Sequence, residues 1–550
     1  MEGCTKCNGT YKNNECTSCG KLKTVYYNNK IIKCNYNCDI GDEEKCLTCD
    51  KDKIDCGSCN NGYKLVNGKC KPDYFIKAIY YSISDKEEID LCYSWYISRV
   101  NLMILDGKSI TPTSKYNFPK EGYHTIYYKF NKIVSGSYSE VDSFFSKLNR
   151  IFSVSFSDFN EYIPDISFRK MFNGCTNLTS VDLSKIAINL NSHVDYMFTN
   201  CINLKYLNFN LSSKLIVREN AQYMFYNCKS LTSIDLSRLD VSKTIYFDYM
   251  FSECKSLKSI NLKSFFLQKA KSIDYMFCNC SSLMFLDLSN FDPYHLESIS
   301  GVFKNCISLT SINLTNFTTD NVNSMDFLFY NCRLLTFINI SQFNTKEVQN
   351  LSNMFGYCIS LTSIEISEKI FYTNKVTDMQ SMFSHCYYLN SIDLSNFNTN
   401  LVRYMNSMFS HCYSLTSIDL SKFNTKNVLD ISYMFYNCYS LRSIDVLHFK
   451  NSINNNIYTF AGCYSLTSII IPFTGGSYLF YNCPNLNWIN ISSFSSYNNG
   501  NLFNKNISSN GTLVLTNGYY QRLISWHIYF PSNWTLLIIN RFLSYIIIIL

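Results

Sequence analysis

The chain has 550 residues, of which 46% are hydrophobic and 17% charged, and a formal net charge of +7. That is ample apolar material for a continuous core, and the positive balance is spread too thinly for a nucleic-acid footprint. Its 26 cysteines are too many for an ordinary cytosolic protein, while the 43 Tyr and 41 Phe beside scarce Ala reflect an AT-rich coding sequence.

Residues 1–70 hold eleven cysteines: Cys4, Cys7, Cys16, Cys19, Cys34, Cys38, Cys46, Cys49, Cys56, Cys59 and Cys70. Turn residues lie between them and almost no aliphatic periodicity, so covalent or metal crosslinks must replace a core. Paired Cys-x-x-Cys fits a zinc ribbon as well as a disulfide framework. The missing histidines, uneven gaps and absence of clean sets of four favour disulfides. The segment resembles the growth-factor-receptor or EGF-like cysteine-rich modules of extracellular proteins. No basic stretch followed by an apolar run precedes Cys4, so a start further upstream is expected, with a cytosolic protein as the alternative. The odd cysteine would pair upstream or with Cys92.

Residues 71–150 carry no repeat. Short runs of aromatic and β-branched residues, broken by Gly107, Pro112, Pro119 and Gly122, predict a small β-rich domain that covers the open end of the repetitive region after it.

From there a Met-Phe-x-x-Cys motif returns through most of the chain. Its cysteines are Cys175, Cys201, Cys228, Cys254, Cys280, Cys306, Cys332, Cys358, Cys386, Cys412, Cys438, Cys463 and Cys483, mostly 26 residues apart. Such a period means a solenoid, whose units bury their apolar faces only against one another. In the unit 415–438, the alternation of Ser417, Ile418, Asp419, Leu420 and Ser421 predicts a strand with Ile418 and Leu420 inward. Asn424-Thr425 then turns the chain. Val428, Ile431, Met434, Phe435 and Cys438, at steps of three and four, predict a short helical turn. The expected fold is an α/β solenoid, with a parallel sheet on one face and short helical turns on the other, behind a small β-rich domain and a disulfide-rich module.

The pattern L-x-x-I-D-L-S-x-F-N-T with M-F-x-x-C-x-S-L resembles the 26-residue repeat of BspA-type leucine-rich repeat surface proteins. The resemblance runs over 151–494 and is most faithful at 382–397 and 408–423. Gly511-Thr512-Leu513-Val514-Leu515 and Pro531-Ser532-Asn533-Trp534-Thr535 look like its closing elements. It implies an extracellular protein of adhesion or binding, with a protein or glycan ligand.

Function in a solenoid sits in columns of equivalent side chains. The strand column contains Asp182, Asp235, Asp287, Glu365, Asp393, Asp419 and Asp445, a polar, mildly acidic carpet for amines or hydroxyls. Polarity alone also explains a solvent-facing column. The repeat cysteines read as buried free thiols, since their parallel Cβ vectors disfavour bridging. His385 and His411 precede Cys386 and Cys412 in adjacent units, so Cys points inward and His outward, a poor arrangement for a nucleophilic pair or a metal site. Tyr226, Tyr330, Tyr387, Tyr413, Tyr436, Tyr439, Tyr464 and Tyr481 cluster at the cysteine turns as an aromatic edge. No nucleophile elbow, phosphate loop or zinc-protease motif occurs, so neither an enzyme nor a cofactor is expected.

The organisation expected is thus 1–70 cysteine-rich, 71–150 β-rich cap, 151–495 repeats, 496–535 closing cap and 536–550 an apolar tail. That tail falls short of the ~20 apolar residues of a spanning helix and reads as an incomplete membrane anchor or a last strand. The functional reading is a cell-surface binding protein. A signalling receptor ectodomain and an intracellular scaffold with zinc-held cysteines are its alternatives.

Overall fold

The computed structural model describes the backbone of short strands between 11 and 72, then residues 76–84, 87–130, 142–156, 167–184, 191–209, 214–367, 369–449, 453–473, 476–491, 507–516, 533–539 and 546–549. Two compact units divide the chain: Met1–His193 with Met197–Ile216, and Val194–Tyr196 with Val217–Leu550.

In the first unit the β-rich segment forms a seven-stranded sheet with the first coils. Its order is Lys108–Ile110, Val100–Leu105, Gly122–Phe130, Ile76–Ser82, Ile151–Ser155, Ser180–Asp182, Tyr206–Asn208. Ile76–Ser82 runs antiparallel to Ile151–Ser155, and from there the pairing is parallel, Ser153 opposite Ser180 and Ser180 opposite Tyr206. An antiparallel strand on the outer edge satisfies the backbone groups that the first coil would otherwise leave open, so the segment caps the repeats by pairing. Behind it Tyr80, Tyr128, Phe144 and Phe145 are fully buried. The Tyr80 and Tyr128 hydroxyls both donate to the Leu91 carbonyl, at 2.5 and 2.8 Å, which offsets burying two phenols.

The second unit is a stack of repeat coils with parallel strands at matching register, such as Ser233–Asp235 on Ser259–Asn261 and Phe337–Asn339 on Ser363–Glu365. Ser417–Ser421 behaves differently from expectation. Ile418 and Leu420 are buried while Asp419 is exposed, as the alternation requires, yet these residues form no strand. Their link to the preceding coil thins to a bond from the Thr416 N–H to the Asn390 carbonyl at 3.5 Å. The longest ladder lies elsewhere. Parallel bridges join Asn220, Tyr246, Ser272, Ser298, Ser324, Asn350, Asp378, Tyr404, Asp430 and Asn455, one per coil.

The helical face is not formed. Among the described residues the sole helix is the 3₁₀ segment Ser94–Arg99, outside the repeats. In the coil marked by Cys386, the N–H groups of Met379, Ser381, Phe383 and His385 donate to the Tyr404, Asn406, Met408 and Ser410 carbonyls of the next coil, at 2.7–2.9 Å. The interleaved N–H groups of Met382, Ser384 and Cys386 close turns onto the Met379, Ser381 and Phe383 carbonyls at 3.1–3.3 Å. An α-helix spends every N–H inside its own turn. Here half are spent on the neighbouring coil, so the segment is a row of tight turns. Such a row needs left-handed backbone at alternate corners, and Ser381 (φ 55°) and His385 (φ 62°) supply it, as their counterparts do in other coils. Steps of three and four keep the apolar side chains inward in either conformation, which is why the sequence pattern reads as a helix.

Inside the turns, Phe355, Phe383, Phe409 and Phe435 stack at centroid spacings of 5.5–5.6 Å. Each buried ring removes apolar surface worth roughly 1.5–3 kcal/mol. The cysteines run beside them: the thiols of Cys386, Cys412 and Cys438 donate to the Phe355, Phe383 and Phe409 carbonyls at 3.1–3.2 Å. The repeat cysteines are free and buried, and burial pushes the thiols of Cys254, Cys358 and Cys412 up to about 12, which leaves them inert. Cys92 is also free and buried.

The last strands are Gly511–Thr516 and Trp534–Ile539, parallel, with Ile546–Ile549 antiparallel on the outside. The apolar tail therefore contributes strands, and among the described residues no helix is long and apolar enough to cross a membrane.

Candidate functional site

Three coils of the second unit depart together from the rest. At the residue before the repeat cysteine, an amide ladder links Asn279, Asn305 and Asn331: the Asn305 and Asn331 Nδ2 groups donate to the Asn279 and Asn305 Oδ1 atoms at 2.8 and 2.9 Å. In the next three coils this position holds Tyr357, His385 and His411 instead. Their rings stack at 4.0 and 4.2 Å between centroids. In those same coils the residue five before the cysteine is Asn353, Ser381 or Ser407, and the residue two before it is Gly356, Ser384 or Ser410. Five residues before the cysteine, the rings of other coils give way to small polar side chains, while the residue just before the cysteine becomes a ring.

The result is a groove of about 450 Å³ lined by Tyr330, Tyr357, His385, His411, Tyr433 and Tyr436, with Asn353, Ser381, Ser384, Ser407 and Ser410. Tyr330 closes one end, leaning towards Gly356, where a Cβ would stand 3.1 Å from its ring. Tyr436 meets His411 edge-on at 5.2 Å at the other end. The Nδ1 atoms of His385 and His411 bond the buried Ser384 and Ser410 hydroxyls at 2.8 and 2.9 Å. The Asn437 amide donates to His411 Nε2 at 3.2 Å, which assigns the proton to Nδ1. Desolvation, with its neighbour His411 adding to it, brings His385 down to about 4, and desolvation lowers His411 as well. At neutral pH both rings are uncharged. Cys386 and Cys412 lie fully buried behind them, so no Cys–His pair is formed.

On the far side of the histidines, Tyr387, Tyr413, Tyr439 and Tyr464 stack at 4.6–4.7 Å, which resolves part of the aromatic edge into one ordered column.

The acidic strand column has a different local role. Asp235, Asp287, Asp393, Asp419 and Asp445 are exposed, and each Oδ1 accepts the N–H two residues on, at 2.8–3.1 Å, closing the turn that leaves the strand position. Asp182 does the same with Ser184, and Glu365 accepts from Asn339 Nδ2 at 2.7 Å. Hydrogen bonds from Ser289 and Ser421 hold the Asp287 and Asp419 carboxyls below their usual range.

Reading the sequence by its strand and cysteine columns misses a second polar ladder. Asp274 accepts from Ser298 Oγ at 2.6 Å and the Ser300 N–H at 2.7 Å, and Ser300 Oγ donates to Asp326 at 2.5 Å. One coil back, Asp248 accepts from Gln222 and Ser272. Desolvation is the main cause that raises Asp274 to about 6, reinforced by the charges of Asp248 and Asp326. Among the described residues no group of three or more His, Cys, Asp or Glu is placed to hold a metal ion.

Of the N-terminal cysteines, the backbone register sets Cys46 opposite Cys59 and Cys49 opposite Cys56. Cys4, Cys7, Cys19, Cys34 and Cys38 lie outside the described residues, as do the side chains of Cys16, Cys46, Cys49, Cys56, Cys59 and Cys70, and with them the disulfide-or-zinc question.

Fold and groove together define a parallel solenoid of leucine-rich repeats with a polar cleft among its turns. Residues 139–284 and 431–520 match the family model of the BspA type leucine rich repeat region (6 copies). Residues 271–368, 295–391 and 362–471 match that of the Mycoplasma protein of unknown function, DUF285. Over residues 139–284 and 431–520 the chain is thus similar to leucine-rich repeats of the BspA type. Among solved structures it is similar to a leucine-rich repeat protein from Bacteroides ovatus, at 17% identity over 70% of this chain and 94% of that one, with a TM-score of 0.38. A leucine rich cell surface protein from Faecalibacterium prausnitzii is 20% identical over 63% of this chain and 78% of that one, with a TM-score of 0.30. A 37-residue stretch is 51% identical to the BMP/retinoic acid-inducible neural-specific protein 3 of mouse and human, which is 6% of this chain and 5% of those proteins.

Proposed function

We propose that the protein is a non-catalytic binding protein of the cell surface, whose repeats present ordered columns of side chains to a protein or glycan on another cell or on matrix. The observation that supports this best is the three-coil exchange of bulk. A purely structural repeat has no need to open a cleft in three consecutive coils while keeping its Phe and Cys ladders unbroken through them. The cysteine-rich segment would serve as a stalk held by disulfides, and the apolar C-terminal strands as the point nearest a membrane.

The test is direct binding of the purified full chain, fluorescently labelled, to intact cells and to immobilised matrix components. Saturable binding that unlabelled protein competes away is the expected outcome. Uniformly non-saturable binding would overturn the reading. Zinc in stoichiometric amount, bound to the N-terminal cysteines of protein purified without added metal, would instead favour an intracellular scaffold.

A further inference from the structure

The column five residues before the repeat cysteine is an aromatic stack over most of the second unit. Tyr196, Tyr223, Tyr249 and Tyr275 stack at 4.9–5.0 Å, and Tyr433, Tyr458 and Tyr478 at 5.0–5.2 Å. Between the two runs come Gly301, Phe327, Asn353, Ser381 and Ser407. The first two positions are filled. A Cβ on Gly301 would stand 2.4 Å from the Tyr275 ring, which already occupies that space, and the Lys304 ammonium sits 4.0 Å over the Phe327 ring. The remaining three positions are the groove. Tyr433 stacks on Tyr458 with one face and lines the groove with the other, its partner on that side having shrunk to Ser407.

The gap thus has the shape of missing rings, and its lining says what kind of ring replaces them. The hydroxyls of Ser381 and Ser407 and the amide of Asn353 both donate and accept. No Lys, Arg, Asp or Glu lines the groove, so nothing there repays the desolvation of a charged ligand. The backbone N–H groups of Ser381, His385 and Ser407 are already committed to the next coil, which leaves little for an extended peptide to pair with. A neutral ring with hydroxyls on its rim and a C–H face for Tyr433 satisfies each of these conditions. A volume of about 450 Å³ also falls in the range of small-molecule sites.

Building on the surface-binding function, we infer that the groove over the coils marked by Cys358, Cys386 and Cys412 binds a short neutral oligosaccharide. One pyranose ring lies on the open face of Tyr433. Its neighbours follow the column past Ser407 and Ser381 towards Asn353, with hydroxyls meeting those side chains and the His385 imidazole. The glycan runs along the stacking direction, each sugar taking the place of an absent tyrosine.

The test fills the gap with the residue that occupies the column elsewhere. Ser381→Tyr with Ser407→Tyr puts tyrosine on a left-handed backbone that Tyr433 (φ 58°) and Tyr458 (φ 56°) already adopt. Full-length wild type and variant are titrated calorimetrically with neutral gluco-, manno-, galacto- and chito-oligosaccharides and with sulfated and sialylated ones. Wild type is expected to bind a neutral member, and the double variant to bind it at least tenfold more weakly with an unchanged circular dichroism spectrum and melting temperature. Tyr223→Ser, in the same column but away from the groove, is expected to bind as wild type does. If the double variant misfolds, Tyr433→Ala replaces it with the same expected loss. The inference is overturned if no neutral saccharide binds, if only charged ones do, or if the folded double variant binds like wild type. In the cell-binding assay, a double variant that still binds saturably sinks the groove alone, whereas failure of wild type sinks the surface reading with it.

Discussion

Asp274 sits in a polar ladder with Asp248 on one side and Asp326 beyond Ser300 on the other, and it holds its proton to about pH 6. An unfolded aspartate loses its proton near 3.9. Between those values the folded chain binds a proton that the unfolded chain has released, so this group's contribution to stability falls as pH rises through the window. The resulting penalty is absent below about pH 4 and complete above about pH 6. Asp274→Asn keeps an acceptor for Ser298 Oγ and the Ser300 N–H while removing the charge. Urea unfolding at pH 4 and pH 7 is expected to find the variant level with wild type at the lower pH and more stable at the higher. Equal gains at both would show that charge is not what the substitution relieves. His385 works in the opposite sense: its lowered pKa leaves it neutral in the folded chain, so protonation costs stability as pH drops from about 6.5 towards 4.

The Met-Phe-x-x-Cys element owes its shape to divided hydrogen bonding, half its N–H groups closing turns and half reaching the next coil. That division fixes which way its side chains leave. Met382, Phe383 and Cys386 are fully buried, while His385, on a left-handed corner, faces out. The closing strands depend on a glycine for a different reason. Gly511 pairs with Trp534, and a Cβ there would stand 2.5 Å from the indole and 2.8 Å from the Asn487 carbonyl oxygen. That carbonyl accepts the Thr512 N–H at 2.7 Å, so Gly511→Ala must push the strand away from the bond that seats it. Chemical unfolding is expected to find the variant less stable by about 1–3 kcal/mol, typical of overpacking. An unchanged midpoint would mean that the last strands add little to the stack.

At the scale of the whole repeat stack, each coil touches only its neighbours, so stability is close to a sum of unit and interface terms. Removing residues 307–332, one full 26-residue period between Cys306 and Cys332, rejoins equivalent points of adjacent coils. That shortened chain is expected to fold cooperatively with a wild-type circular dichroism signature and a modestly lower melting temperature. A deletion of half that length breaks every ladder in register and should abolish the cooperative transition. If both deletions behave alike, the coils are not the units of folding.

The period, the inward set of Leu, Ile, Phe and Cys, and the alternation around Ile418 and Leu420 are all legible in the sequence. They follow from which side chains must avoid water, and that is written locally in the spacing. The free, buried state of the repeat cysteines follows on the same ground. Spacing does not say where a backbone N–H finds its acceptor. A helix and a row of tight turns bury the same residues, and only stacking decided for the turns by offering each coil its neighbour's carbonyls. The groove was present in the sequence as Asn353, Ser381 and Ser407 beside Tyr357, His385 and His411. It became visible only when the stack set those positions side by side, because a column is made of residues some 26 apart, and tertiary packing alone turns that separation into contact.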